Sequence, residues 1–174
     1  MFYGFLCASL PTLACGIPTE FSLDEFDGLA REALPVKEFD RLVSRDSGAD
    51  KCAVYRSMRQ FEEYLKLRIA GERQEKLGSF NPLPEPDELF SDVDFALPAA
   101  AAADDPLERE RMVDAICWQK IDELECEHQF DLDYLCCYRM RLSLLEKYRR
   151  RAENNGTQLF EQAVDRLSEP ISKI

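Results

Sequence analysis

Apolar side chains recur at helical spacing through residues 112–151, and this stretch predicts the centre of the fold. In its first half the apolar positions lie three or four residues apart, as on one face of an α-helix; they are Val113, Cys117, Ile121 and Leu124. The second half has the same spacing at Leu135, Tyr138, Leu142, Leu145 and Tyr148. Asp131 between the halves has the character of a helix N-cap. Two stripes joined so closely predict an antiparallel helical hairpin.

Polar and aromatic residues complete the predicted hairpin. Asp122 follows an inward-facing position on the first helix, so a salt bridge from Asp122 to Arg139 or Arg141 across the hairpin is feasible. Surface charges of little energetic weight are the alternative. The residues expected to build the hairpin are Trp118, Ile121, Asp122, Leu124, Phe130, Tyr138, Leu142 and Leu145.

Shorter patterns predict further helices before the hairpin. Residues 2–10 form an apolar run that fits a buried strand or a short buried helix, because periodicity alone does not separate the two. Ser22 and Glu25 form a capping box for a helix ending near residue 34, with Phe26, Leu29 and Ala33 inward. Pro35 fits the first position of a second short helix. Asp50 fits the cap of a long helix over residues 54–69, which is expected to fray beyond Gly71.

The composition changes between residues 78 and 106. Five prolines, several acidic residues and the alanine run 99–103 predict a linker or insertion rather than a packed element, although Phe90, Val93, Phe95 and Leu97 are able to pin its middle to the body. Beyond the hairpin, residues 154–156 stop the helix, and Thr157 caps a last amphipathic helix.

These elements predict an all-α protein: a bundle of six or seven helices with a long acidic Pro/Ala-rich loop and a C-terminal antiparallel hairpin. A length of 174 residues favours a single domain. Its predicted parts are a helical N-terminal part (1–77), the acidic linker (78–106) and the hairpin with its tail helix (107–174).

The charge balance argues against a nucleic-acid partner. The chain carries a net charge of -12, and binding to phosphates needs a basic face. One small basic patch lies along the hairpin's second helix. Cations gather near helix C-termini, where the macrodipole favours them, but the same patch fits docking to an acidic partner. The candidate partner-binding residues are Arg139, Arg141, Lys147, Arg149, Arg150 and Arg151.

The seven cysteines are odd in number and show no CxxC spacing, which predicts buried free thiols in a reducing compartment. Cys126, His128 and Cys136 match no zinc spacing, and His128 is the chain's single histidine. No metal and no cofactor are therefore expected.

Catalytic and membrane-spanning signals are weak. No nucleophile motif or phosphate-binding loop occurs, and the cluster Asp122, Glu123, Glu125 and Glu127 is more typical of a solvated helix face than of acid–base chemistry. The uncharged N-terminus resembles an export signal, but no Lys or Arg precedes Arg31 and Pro11 interrupts the run. A core-bound segment and no direct membrane insertion are expected.

The hairpin sequence from Trp118 to Leu124 and from Phe130 to Tyr148 resembles a bacterial family, domain of unknown function 2764. Residues 8–13 and 21–26 are similar to the opening of that family. The family is encoded inside V-type (V/A-type) ATPase gene clusters, at the place of the C-type spacer subunit, which stands between the central shaft and the membrane ring. The hairpin is distantly similar to the last helical repeat of that spacer subunit.

The resemblance implies a non-catalytic coupling subunit of an ion-translocating rotary ATPase. Its implied partners are the central-shaft and membrane-ring subunits, and its implied location is cytoplasmic, peripheral to the inner membrane through the complex. A cytosolic helical adaptor with an unrelated partner is the alternative.

Overall fold

The computed structural model describes residues 3–47, 51–78 and 80–153. Within these ranges the chain forms α-helices joined by short connections and contains no strand, which confirms the predicted all-α class. A single 3-10 turn spans Ser44–Ser47. The helices are α1 Tyr3–Ser9, α2 Leu23–Ala33, α3 Val36–Leu42, α4 Ala53–Leu77, α5 Ser91–Ala102, α6 Pro106–Glu125 and α7 Leu132–Glu153.

Helix α7 lies at the centre of the bundle, since α2, α3, α4 and α6 all pack against it. Every residue from Leu135 to Met140 is buried. A helix that is buried on all sides needs apolar residues beyond a single stripe. Accordingly Cys136, Cys137 and Leu144 join the core beside the predicted positions Leu142 and Leu145.

The predicted hairpin is formed by α6 and α7. Asp131 caps α7, because its carboxylate accepts a hydrogen bond from the backbone N–H of Tyr134 at 2.8 Å. Trp118, Ile121 and Tyr138 are buried as the hairpin requires. Phe130 differs from the expectation: it lies in the connecting turn with φ of 57° and is 58% exposed. Its left-handed backbone reverses the chain, so its ring contributes little to the core.

The apolar N-terminal run forms the helix α1, which packs on α2. The sequence fitted either a strand or a helix here. The capping box of α2 is confirmed: Ser22 Oγ accepts from Glu25 N at 3.2 Å, and Glu25 Oε2 accepts from Ser22 N at 2.7 Å. Leu29 was predicted to face inward but is 43% exposed, and Ala30 occupies the buried position instead.

Several helix ends differ from the sequence prediction. Pro35 is the N-cap of α3 rather than its first residue, and Cys52 is the N-cap of α4 in place of Asp50. Helix α4 does not fray at Gly71 but continues to Leu77, where Gly78 ends it in the left-handed conformation. Packing of α4 on α5, α6 and α7 outweighs the low helix propensity of one glycine.

The predicted linker 78–106 contains a packed helix, α5. Val93 and Leu97 are buried against the body as expected, but Phe95 is 90% exposed. Asp94 fastens α5 to α4, because its carboxylate accepts a hydrogen bond from Tyr64 Oη at 2.7 Å and lies 2.6 Å from Arg68 Nε. Alanine is the strongest helix former, so the alanine run extends this helix instead of forming a loop.

Among the described residues no helix is long and apolar enough to cross a membrane. The predicted last helix, from Thr157 onward, lies outside the described ranges.

Candidate functional site: the cationic end of α7

Arg139 is not available to a partner, contrary to the sequence-based expectation. Its side chain is 4% exposed and forms a two-pronged ion pair with Asp27 of α2, with Nε–Oδ1 of 2.9 Å and Nη2–Oδ2 of 2.8 Å. A buried guanidinium needs such a partner, because burying an unpaired charge is costly. Arg139 therefore ties α2 to α7 and belongs to the core.

Arg141 is also a structural residue. Its Nη2 lies 2.6 Å from Asp122 Oδ1, which confirms the predicted bridge across the hairpin, and its Nη1 binds Glu125. The guanidinium also lies 5.6 Å from the ring centre of Trp118. Burial lowers the pKa of Arg141, but the hydrogen bonds and charges of Glu125 and Asp122 outweigh burial and raise the pKa. Arg141 thus locks the hairpin and remains charged.

The exposed cations lie in the last turns of α7. The side chains of Lys147, Arg149 and Arg150 are 55%, 40% and 74% exposed. We call these three residues the cationic end of α7. Arg151 belongs to the same helix, but its side chain lies outside the described part of the chain.

Two carboxylates hold the cationic end in place. Glu146 lies 3.7 Å from Arg149 and 3.3 Å from Arg150, and it also accepts a hydrogen bond from the N–H of Leu23 at 3.2 Å. Lys147 lies 3.9 Å from the buried Asp114 of α6. Each of the three cations therefore has a carboxylate neighbour, while its side chain stays at least 40% exposed.

The cationic end contrasts with the chain as a whole, whose net charge is -12. Exposed ion pairs contribute about 0 to 1 kcal/mol each to folding. Charges at a surface act more strongly on association, where they steer an oppositely charged partner and set its orientation. An exposed cationic group on a rigid helix is therefore suited to docking an acidic surface.

Three of the four carboxylates in the cluster Asp122, Glu123, Glu125 and Glu127 form salt bridges. Asp122 and Glu125 bind Arg141, and Glu123 binds Lys120 at 3.1 Å. Asp122 and Glu125 therefore take part in joining α6 to α7 through Arg141.

His128, the chain's single histidine, lies in the connection between α6 and α7. Its Nδ1 lies 2.9 Å from Asp131 Oδ2, and this hydrogen bond raises the pKa of His128. The contact is local, between residues three apart, and it supports the N-cap of α7.

Five of the seven cysteines are buried free thiols, as predicted, but Cys15 and Cys126 are exposed. Sequence spacing did not indicate that Cys52 and Cys136 touch, since 84 residues separate them. Sequence spacing also did not indicate that Arg139 pairs with Asp27. The sequence did contain one signal for a buried ion pair, because an arginine in the middle of an apolar run must find a buried partner.

The described residues form a bundle of helices with a group of exposed cations at the end of α7. Residues 83–171 match the family described as "Protein of unknown function (DUF2764)". The match covers more than half of the chain, and the chain belongs to that family. No curated protein and no solved structure shows significant similarity to this chain.

Proposed function

We propose that the chain is a non-catalytic structural subunit associated with a V-type (V/A-type) rotary ATPase. It takes the place of the C-type spacer subunit and links the central shaft to the membrane rotor ring, on the cytoplasmic side of the inner membrane. The observation that carries the proposal is the resemblance of residues 118–148 to a family encoded in ATPase gene clusters. These residues form the α6–α7 hairpin, inside the region of the family match.

The construction of the hairpin supports a coupling role. A protein that passes torque between two others must resist deformation, and closely packed interiors transmit strain. Here α7 is buried along its first turns, and Arg139 and Arg141 tie it to α2 and α6. Such cross-links add geometric definition to the bundle without supplying any chemistry.

The cationic end supplies the docking surface. In this proposal it meets an acidic face of the shaft or of the ring, and Glu146 and Asp114 hold the cations in a fixed position before binding. Side chains that are already ordered lose less conformational entropy on association.

The proposal predicts that the double variant Arg149→Glu, Arg150→Glu separates binding from folding. The variant should keep its helical circular-dichroism signal, because exposed ion pairs contribute only about 0 to 1 kcal/mol each. Its co-purification with shaft and ring subunits from native membranes should fall at least about tenfold, since like charges facing each other across an interface cost several kcal/mol.

A matched control places the same charge change elsewhere. Arg56 and Lys66 are exposed on α4, and the variant Arg56→Glu, Lys66→Glu should retain the partner. Salt is the second control: the interaction of the unmodified chain should weaken as salt rises from about 0.1 to about 1 M, where screening shortens to about 3 Å. Equal loss in both double variants would refute docking through the cationic end, and partners unrelated to an ATPase would favour the adaptor function.

A further inference from the structure

Two buried thiols meet between α4 and α7. Cys52, the N-cap of α4, and Cys136 of α7 are both 0% exposed. The Cys136 thiol donates to Cys52 Sγ across 3.4 Å. One turn earlier on α7, Asp133 brings a carboxylate oxygen to the same place, and the two sulfurs and this oxygen all lie within 4.8 Å of one another.

The Asp133 carboxylate carries an independent signal. Its Oδ1 is buried and has no hydrogen-bond partner among the described residues. Buried polar atoms in native proteins are nearly always paired, so an exception needs a physical explanation. A cation bound between the Asp133 carboxylate and the two sulfurs would give this carboxylate an ionic partner.

We propose that Cys52, Cys136 and Asp133 bind one zinc ion. Zinc is four-coordinate in structural sites and accepts both thiolate and carboxylate ligands, at about 2.3 Å and about 2.0 to 2.2 Å. Two sulfurs bound at about 2.3 Å to one tetrahedral ion lie about 3.8 Å apart, so the two sulfurs, 3.4 Å apart without the ion, would separate by about 0.4 Å on binding. The three side chains supply three of the four ligands, and the Arg41 carbonyl oxygen, which accepts a hydrogen bond from Cys52 Sγ at 3.6 Å, lies beside them.

The ligand chemistry favours zinc over calcium or magnesium. Thiolates are soft ligands, whereas calcium and magnesium take oxygen ligands almost exclusively. Binding requires both thiols to release their protons to solvent, the two positive charges of the ion balance the two thiolates, and the Asp133 carboxylate leaves the site with a net charge of about -1. The position of Cys52 at the start of α4 assists this, because a helix N-terminus favours a thiolate.

Without a bound ion, the hydrogen bond between the two thiols shifts the pKa values of Cys52 and Cys136 in opposite directions. The hydrogen bond donated by Cys136 lowers the pKa of Cys52, although burial opposes that effect. The same hydrogen bond, together with burial, raises the pKa of Cys136.

The zinc ion would fasten the start of α4 to the start of α7. Both cysteines are 0% exposed, so the ion would join the two helices inside the core. The proposal departs from the sequence-based expectation that no metal binds, since local spacing does not bring Cys52 and Cys136 together. It is independent of the proposed function.

Metal analysis of the purified full-length chain tests the site. The chain is refolded with zinc, passed over a desalting column and measured by inductively coupled plasma mass spectrometry. We expect one zinc ion per chain, and the same in the control Cys117→Ser, which alters a buried thiol of α6 outside the site. Cys136→Ser should lose the zinc. Asp133→Asn alters a direct ligand of the ion. Loss of an outer-shell partner already weakens metal binding about 10- to 100-fold, and this variant should weaken it by at least as much.

A second readout covers variants that fail to fold. A chelator should lower the melting temperature of the unmodified chain, and added zinc should restore it, because a ligand that binds only the folded state stabilises that state. Absence of zinc after refolding, zinc retained by Cys136→Ser, or an unaltered melting temperature would each overturn the proposal. So would a native disulfide between Cys52 and Cys136, seen as the loss of two hydrogen atoms from the peptide mass.

Discussion

Replacing Arg139 with alanine is expected to lower the free energy of unfolding by about 3 to 5 kcal/mol. The substitution leaves the Asp27 carboxylate, 20% exposed, without the guanidinium that now contacts both of its oxygens. Breaking a buried pair from one side is costly because the remaining charge stays in a poorly solvated place. Urea denaturation followed by circular dichroism measures the loss.

Two further variants isolate the cause. Arg150→Ala removes a cation that is 74% exposed and should cost less than about 1 kcal/mol. Arg139→Met combined with Asp27→Leu replaces the ion pair by apolar side chains and should recover most of the stability lost in Arg139→Ala. Equal losses in Arg139→Ala and Arg150→Ala would contradict the buried-pair assignment.

Trp118→Ala is expected to cost about 3 to 5 kcal/mol, mainly through the cavity left in the core. Trp118 is 8% exposed on α6, and the Arg141 guanidinium lies 5.6 Å from the centre of its ring. Removing the indole therefore also withdraws a cation–π contact, worth about 0.5 to 2 kcal/mol. The measurement is again the free energy of unfolding in urea.

Phe95→Ala is the matched control, because it removes an aromatic ring that is 90% exposed. A surface substitution of this kind should change stability by no more than about 0.5 kcal/mol. Should Trp118→Ala prove as mild as Phe95→Ala, the indole would not be part of the core that holds the hairpin.

Local patterns explain why the hairpin was predictable. The positions Ile121, Leu142 and Leu145 repeat at helical spacing, and burial of one face follows from that spacing alone. The capping box at Ser22 and the cap at Asp131 depend on side chains within three residues of the backbone groups they bind. With the two helices placed side by side, a bridge from Asp122 to Arg139 or Arg141 was feasible, and the structure shows it at Arg141.

The failures have a different physical origin. Prolines near the alanine run suggested a linker, yet helix propensity and packing by Val93 and Leu97 produce α5. The candidate docking set included Arg139 and Arg141 because sequence shows charge without burial. Only the tertiary fold reveals that Asp27, Asp122 and Glu125 neutralise these two arginines. The meeting of Cys52 with Cys136 likewise depends on how α4 and α7 pack.

The most direct test of the proposed function purifies the ATPase rather than this chain. A V-type ATPase is isolated from native membranes through a tag on its catalytic head, and its components are quantified by mass spectrometry. The proposal predicts that this chain is recovered with the shaft and ring subunits and is depleted when Arg149 and Arg150 are reversed to glutamate. Recovery of an ATPase with its shaft and ring present and this chain absent would contradict the assignment to the rotor.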